Sequence, residues 1–193
     1  MSLDGSAAAE SRLPDLLERI GRLLRGVRHR TDLLNPAQWE ALRYLGQANR
    51  YSRTPTALTR YLGATKGTVS QTVIALERKG LVRRADDPRD RRGVRLGLTA
   101  RGRANLQQDP MLDLLDGIDA ELLSRLESDL TDLLIHLQRN NQRRPFGLCG
   151  TCRFFQRDVA EDVGGGTHRC GLTLEPLTTS ESEQICAEHE PPA

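Results

Sequence analysis

Between Thr54 and Leu98 the chain sets short amphipathic segments between helix-stopping signals so closely that few folds can hold it. Thr54-Pro55 opens a short helix carrying Ala57, Leu58, Tyr61 and Leu62, and Gly63 closes it. Thr65 then caps a second helix with Val69, Val73, Ile74 and Leu76 on its inward stripe, ending at Lys79-Gly80, the basic residue and glycine that a carboxyl end prefers. Two helices about a glycine-containing turn have helix-turn-helix spacing. Residues 81–84 and 94–98 then predict two strands, and the loop between them carries Arg89, Arg91 and Arg92, so the hairpin has a basic tip.

The net charge of the 193 residues is only +2, but it is unevenly spread. Residues 56–103 carry 12 basic and 4 acidic side chains, whereas residues 145–193 carry 3 and 8. A compact basic block is either a merely solvated surface or the electrostatic footprint of a polyanion binder, and the acidic tail argues against indiscriminate adhesion. With aromatic residues at 4%, a stacking platform for single strands, which needs several exposed rings, is disfavoured. In the second helix, Lys66, Thr68, Ser70, Gln71 and Thr72 are candidates to face outward, and Gly67 permits close approach. Gln71 can pair with adenine and Lys66 or a threonine with guanine or phosphate, while Asp90 is expected to hold one wing arginine in position. The plain alternative is the solvated face of an ordinary helix.

Flanking segments expect a partner. Leu13, Leu16, Leu17, Ile20, Leu23, Leu24 and Val27 predict an amphipathic helix over 13–34, and Asn35-Pro36 starts another through Trp39, Leu42, Tyr44 and Leu45. After the hairpin, Thr99 caps a helix to Asp109-Pro110, and leucines from Leu114 to Leu137 predict helix to about Asn140. That much leucine on one helix needs another surface. Nothing approaches the roughly 20 apolar residues of a membrane span, and the first residues lack signal-peptide character, so a cytoplasmic protein is expected.

The ordered series 36–45, 58–71, 76–84, Asp87-Pro88-Arg89-Asp90-Arg91-Arg92 and Leu98-Thr99-Ala100-Arg101-Gly102 resembles the winged-helix domain of the MarR family of bacterial transcriptional regulators. The resemblance spans about 13–140. It implies a mainly α fold: a winged helix-turn-helix with long dimerisation helices. It also implies a homodimer that places two recognition helices in successive major grooves of a near-palindromic operator, with Thr65, Lys66, Gly67, Thr68, Ser70, Gln71, Arg89, Arg91 and Arg92 on the DNA. The segment 106–110 departs from the family as a short, broken helix, and leaves a small-molecule effector open.

All four cysteines lie in the last 45 residues, as Cys149-x2-Cys152-x17-Cys170-x15-Cys186. In a cytosolic protein this favours a metal over disulfides, and a module this small and polar needs a staple. Residues 1–12 are thus read as a flexible start, 13–140 as the DNA-binding and dimerisation domain, and 141–193 as linker and small C-terminal metal-binding module. Phe154, Phe155, Leu172, Leu174, Leu177 and Ile185 would shield an iron-sulfur cluster, or simply form a miniature core. The segment from Cys149 to Glu188 also resembles the cluster-binding segment of high-potential iron-sulfur proteins, which implies a [4Fe-4S] cluster, with Zn2+ the alternative. His168 and His189 read as ordinary exposed histidines before substitute ligands. The leading expectation is a DNA-binding repressor whose affinity follows the cysteine centre through packing of the module on the dimerisation helices. A redox protein with a vestigial helix-turn-helix is disfavoured by the lack of a dinucleotide fingerprint or an activated nucleophile, and an adaptor built on the leucine-rich helices is the third reading.

Overall fold

The computed structural model describes residues 11–28, 34–87, 90–141, 146–159 and 166–192, with the backbone alone at 27, 28 and 90–92. Helix α1 (Leu13–Arg28) is followed by α2 (Pro36–Gln47), which starts where its signals place it. Asn35 accepts from the Gln38 amide while the Gln38 side chain returns to the Asn35 amide, so two otherwise orphaned donors are satisfied reciprocally. Helix α3 (Pro55–Leu62) is capped by Thr54 and stopped by Gly63 at φ +59°, a left-handed conformation that suits glycine. Thr65 then caps α4 (Lys66–Arg78).

Strands β1 (Val82–Asp87) and β2 (Asp90–Leu98) pair antiparallel from Val82↔Leu98 to Asp87↔Asp90, with a register shift between Asp86 and Asp87. Both run further toward the tip than residues 81–84 and 94–98 alone suggest, because pairing rather than hydrophobic alternation carries the wing outward. The Asp87 carboxylate meets Arg95 at 2.8 Å, so the described acid that holds a wing arginine is Asp87. The side chains of Arg89, Asp90, Arg91 and Arg92 lie outside the described residues.

Past the wing the structure departs from the leucine pattern twice. Helix α5 (Ala100–Leu106) ends before Asp109, which instead caps the short α6 (Pro110–Asp113) and pairs with Arg43 of α2. Helix then stops again: Gly117 takes φ +80°, Asp119 caps Leu122, and α7 (Ala120–Asn140) begins only there. The expected continuous helix over 114–140 is therefore wrong in its first six residues, where a left-handed glycine and a capping aspartate outweigh apolar spacing. The helix expected over 13–34 is seen to Arg28, and residues 29–33 lie outside the described set.

The core joins α2, α3, α4 and the base of the wing. Trp39, Leu42, Tyr44, Leu45, Leu58, Val69, Val73, Leu76, Leu81, Val82, Leu96 and Leu98 are buried together. Ala187, from the C-terminal module, belongs to the same cluster, with Phe146 and Ile185 packed against it. By contrast α7 buries no residue, and Leu126, Leu130, Leu134 and Leu137 are exposed, as are Leu13, Leu16, Ile20 and Leu23 of α1.

The root of the wing is locked to the start of α5, where Arg103 also donates to the Leu98 carbonyl at 3.0 Å. The Leu81 carbonyl accepts from the Thr99 amide at 3.0 Å, and a Cβ on Gly102 would stand 2.1 Å from that oxygen. The oxygen is a backbone atom and the Cβ is fixed directly to backbone, so neither can move aside cheaply. Gly102→Ala is expected to destabilise the chain toward the upper end of roughly 1–3 kcal/mol, read from the midpoint of urea denaturation.

Candidate nucleic-acid interface and cysteine centre

The first turn of α4 is built to be bare. Thr65 Oγ1 accepts from the Thr68 amide at 3.1 Å and lies 2.9 Å from the Thr68 hydroxyl, so these two threonines shape the helix start. Lys66, Gly67, Thr68, Ser70 and Gln71 are all exposed. Thr72 is not: its hydroxyl donates to the Thr68 carbonyl at 3.0 Å and the residue is buried, so it faces the core rather than a partner. That back-bond lets a threonine sit on an inward stripe.

Val69 and Val73 anchor α4 from beneath, and a groove between α3, α4 and the wing is lined by Thr56, Thr59, Lys66, Ser70, Arg84 and Val94. Arg84 is tied to Glu77 of α4 at 3.1 Å, which fixes the wing root against the helix. A Cβ on Gly67 would meet only the Thr65 hydroxyl oxygen, at 3.8 Å. Packing among the described residues therefore does not demand glycine there.

The C-terminal module is two small sheets around a knuckle. β3 (Gly147–Leu148) pairs with β7 (Ile185–Cys186), and β4 (Phe155–Gln156), β5 (His168–Cys170) and β6 (Pro176–Leu177) form the second sheet. A 3-10 turn, Cys149–Thr151, closes with the Cys152 amide donating to the Cys149 carbonyl at 3.0 Å, which turns the first two cysteines the same way. Short helix α8 (Thr179–Ser182) leads into β7. Cys149, Cys152, Cys170 and Cys186 all line one small cavity, walled by Phe154, Phe155, Leu172 and Leu177 with Glu188 beside them. None is in a disulfide. Among the described residues, no three His, Cys, Asp or Glu are gathered as the shell of a single ion.

The sulfurs are not equivalent. A hydrogen bond shared by Cys149 and Cys186 raises the Cys149 thiol, aided by burial, and pulls the Cys186 thiol well below its usual value. Both histidines expected on the surface are buried. His168 packs its ring on Phe155 at 4.9 Å and accepts from the Asp158 amide, while His189 meets the Thr151 hydroxyl at 3.0 Å and covers Gly147. Neither lines the cysteine cavity as His168 or His189 would as a replacement ligand, for its described walls carry no histidine.

Sequence reasoning missed the surface on which this module rests. Ala48, Asn49 and Ser52, between α2 and α3, are buried under it. The Asn49 amide donates to the Ile185 carbonyl, Ser52 Oγ accepts from the Ala187 amide at 2.8 Å, and Asn49 Nδ2 donates to Cys149 Sγ at 3.1 Å. Arg50 reaches Glu181 Oε1 and the Pro176 carbonyl, each at 2.5 Å, and Arg60 of α3 bonds Glu188 and the Ala187 carbonyl while lying over Phe146. Only the opposite charges of the two segments hinted at this docking.

A capped recognition helix with a bare polar face, beside a basic two-stranded wing, defines a winged helix-turn-helix DNA-binding protein. A sequence model of the MarR family matches residues 34–93. The transcriptional regulator HosA of Escherichia coli O111:H- is 32% identical over 108 residues, which is 56% of this chain and 76% of HosA. Among solved structures, a mutant of MepR from a multidrug resistant S. aureus clinical isolate shares the fold at TM-score 0.51, with 24% identity over 67% of this chain and all of that one. Streptococcus pneumoniae FabT in complex with DNA aligns at TM-score 0.50, with 26% identity over 66% of this chain and 96% of that one. The chain belongs to the MarR family: it is a DNA-binding transcriptional regulator and not an enzyme.

Gly67 separates fold from interface. Gly67→Ala is expected to stabilise the isolated protein by about 0.5–1 kcal/mol through helix propensity while weakening its binding to duplex DNA. Denaturation and fluorescence anisotropy on the same preparation read both signs. Gln71→Ala should relax base preference, whereas Arg91→Ala should weaken all duplexes alike and reduce the salt slope by about 1.

Proposed function

We propose that the protein acts as a homodimeric repressor on a near-palindromic operator, with its DNA affinity set by a centre bound to Cys149, Cys152, Cys170 and Cys186. The observation that carries the DNA part is the exposed first half of α4 flanked by the wing. Lys66, Thr68, Ser70 and Gln71 would meet base edges and phosphate, Thr65 holding the helix start, while the arginines of the wing tip would neutralise the neighbouring backbone. The family relative crystallised with DNA supports this reading.

Dimerisation is argued from area left uncovered. Helices α1 and α7 together expose nine large leucine and isoleucine side chains, more than a lone surface helix needs to show. A second copy laid against them would bury that stripe and set two recognition helices about one helical turn apart. Between α2, α1 and α6 a cleft of about 410 Å³, lined by Leu24, Arg43, Leu112 and Leu115 and floored by the Arg43–Asp109 pair, is large enough for a small effector.

The group proposed for the four thiols is a [4Fe-4S] cluster, with Zn2+ the alternative. They converge on one cavity whose other walls are aromatic and aliphatic, the cover that keeps water from a cluster. When bound, such a cluster supplies a centre that accepts or loses one electron or comes apart under oxidants. Phe154, Phe155, Leu172 and Leu177 exclude solvent, and Asn49 holds one sulfur from outside the module.

Light scattering should show a dimer, and Leu130→Glu with Leu134→Glu should give monomers whose affinity for an operator fragment falls at least about a hundredfold. Protein purified without oxygen should contain iron and sulfide, both lost in Cys149→Ser, with a changed affinity for DNA. A monomeric wild type, or zinc without iron, would overturn the corresponding half.

A further inference from the structure

The module meets the winged helix through a loop that itself holds the wing. Arg53 extends that loop: its carbonyl accepts from the Leu96 amide of β2 at 2.7 Å, and its Nε donates to the Ala48 carbonyl at 2.8 Å. Tyr44 donates its hydroxyl to the Ser52 carbonyl at 2.6 Å from the buried core. The loop is thus fastened to β2 at one end and to α2 beneath. Its centre is Asn49, which is wholly buried. Asn49 Oδ1 accepts from the Tyr51 and Ser52 amides at 3.1 and 2.8 Å, while Nδ2 donates to Cys149 Sγ. One side chain therefore holds a cysteine sulfur with one atom and the loop backbone with the other.

We infer that Asn49 is the positioning residue through which the state of the cysteine centre reaches the wing, by way of the 48–53 loop and the Arg53–Leu96 hydrogen bond. This rests on the proposal that the centre sets DNA affinity and names its route. An N–H···S bond strengthens with charge on the sulfur, so a change at Cys149 alters the grip on the Asn49 amide group. Both ends of that group are used, and the loop must follow or lose its own hydrogen bonds. The loop runs directly into α3 at Thr54, which packs on the recognition helix, and through Arg53 it is bonded to β2, the partner strand of β1, which also borders that helix. The route to α7 is less direct. Between α7 and the outer edge of the module lies an open cleft of about 610 Å³, bordered by Ser128, Ile135, Arg139, Leu148, Thr151 and His189.

The test uses full-length protein carrying iron, its affinity for an operator fragment measured before and after stripping with ferricyanide and EDTA. Wild type is expected to change by about tenfold. Asn49→Asp keeps the acceptor for Tyr51 and Ser52 and removes the donor to sulfur; it should hold iron yet change less than about twofold. A merely structural role would shift both states alike and leave the difference intact. A variant that responds as wild type does overturns the role of Asn49 while the cysteine-centre reading stands. An unresponsive wild type sinks both. Should the variant fail to fold or to load, hydrogen exchange on wild type decides the matter: stripping should speed exchange at residues 49–53 and 94–98. Unchanged exchange there, or change confined to 120–140, overturns the route.

Discussion

A buried turn is costly because its amides and carbonyls cannot turn to water, and the turn between α2 and α3 is buried. Ala48, Asn49 and Ser52 have almost no exposed surface. Their polar groups are satisfied from three directions: by Asn49 folding its own side chain back, by Tyr44 from the core, and by Ile185 and Ala187 of the C-terminal module. The last two partners lie about 135 residues away in sequence. The winged helix and the module are consequently one packed body at this point, with Ala187 inside the common core.

Electrostatics follows the same division. The acidic residues of the tail are not simply solvated: Glu175, Glu181 and Glu188 face Arg50 and Arg60 across the junction. These pairs are partly exposed, and each adds little by itself. Their effect is selective. They neutralise Arg50 of the α2–α3 loop and Arg60 of α3 and leave the basic residues of α4 and the wing uncompensated by the tail.

What could be read from the chain was local. Asn35, Thr54, Thr65 and Thr99 cap helices within three residues of themselves, so each signal and its consequence sit side by side. The cysteines too were legible, since their grouping at the C-terminus survives in the shared cavity. Errors arose where two local signals competed or where the partner was remote. Leu114, Leu115, Ile118 and Leu122 keep helical spacing, yet Gly117 and Asp119 break the backbone between them. Thr72 looked polar, but its hydroxyl closes on Thr68 and its methyl can be buried. His168 and His189 are covered by ring packing on Phe155 and by the bare face of Gly147, neither visible as spacing. Asn49 and Ser52 resemble any loop residues until the far end of the chain folds over them.

The place of Ala187 in the central core has an architectural corollary. An appendage joined only by a tether could be exchanged like a cartridge. Here Ala187, just past the last strand, lies inside the same interior that supports the helix-turn-helix, so evolution could not graft or discard the module without repairing the hole. Loss of this tail would leave a DNA-reading unit with an open seam rather than a smaller, permanently active regulator.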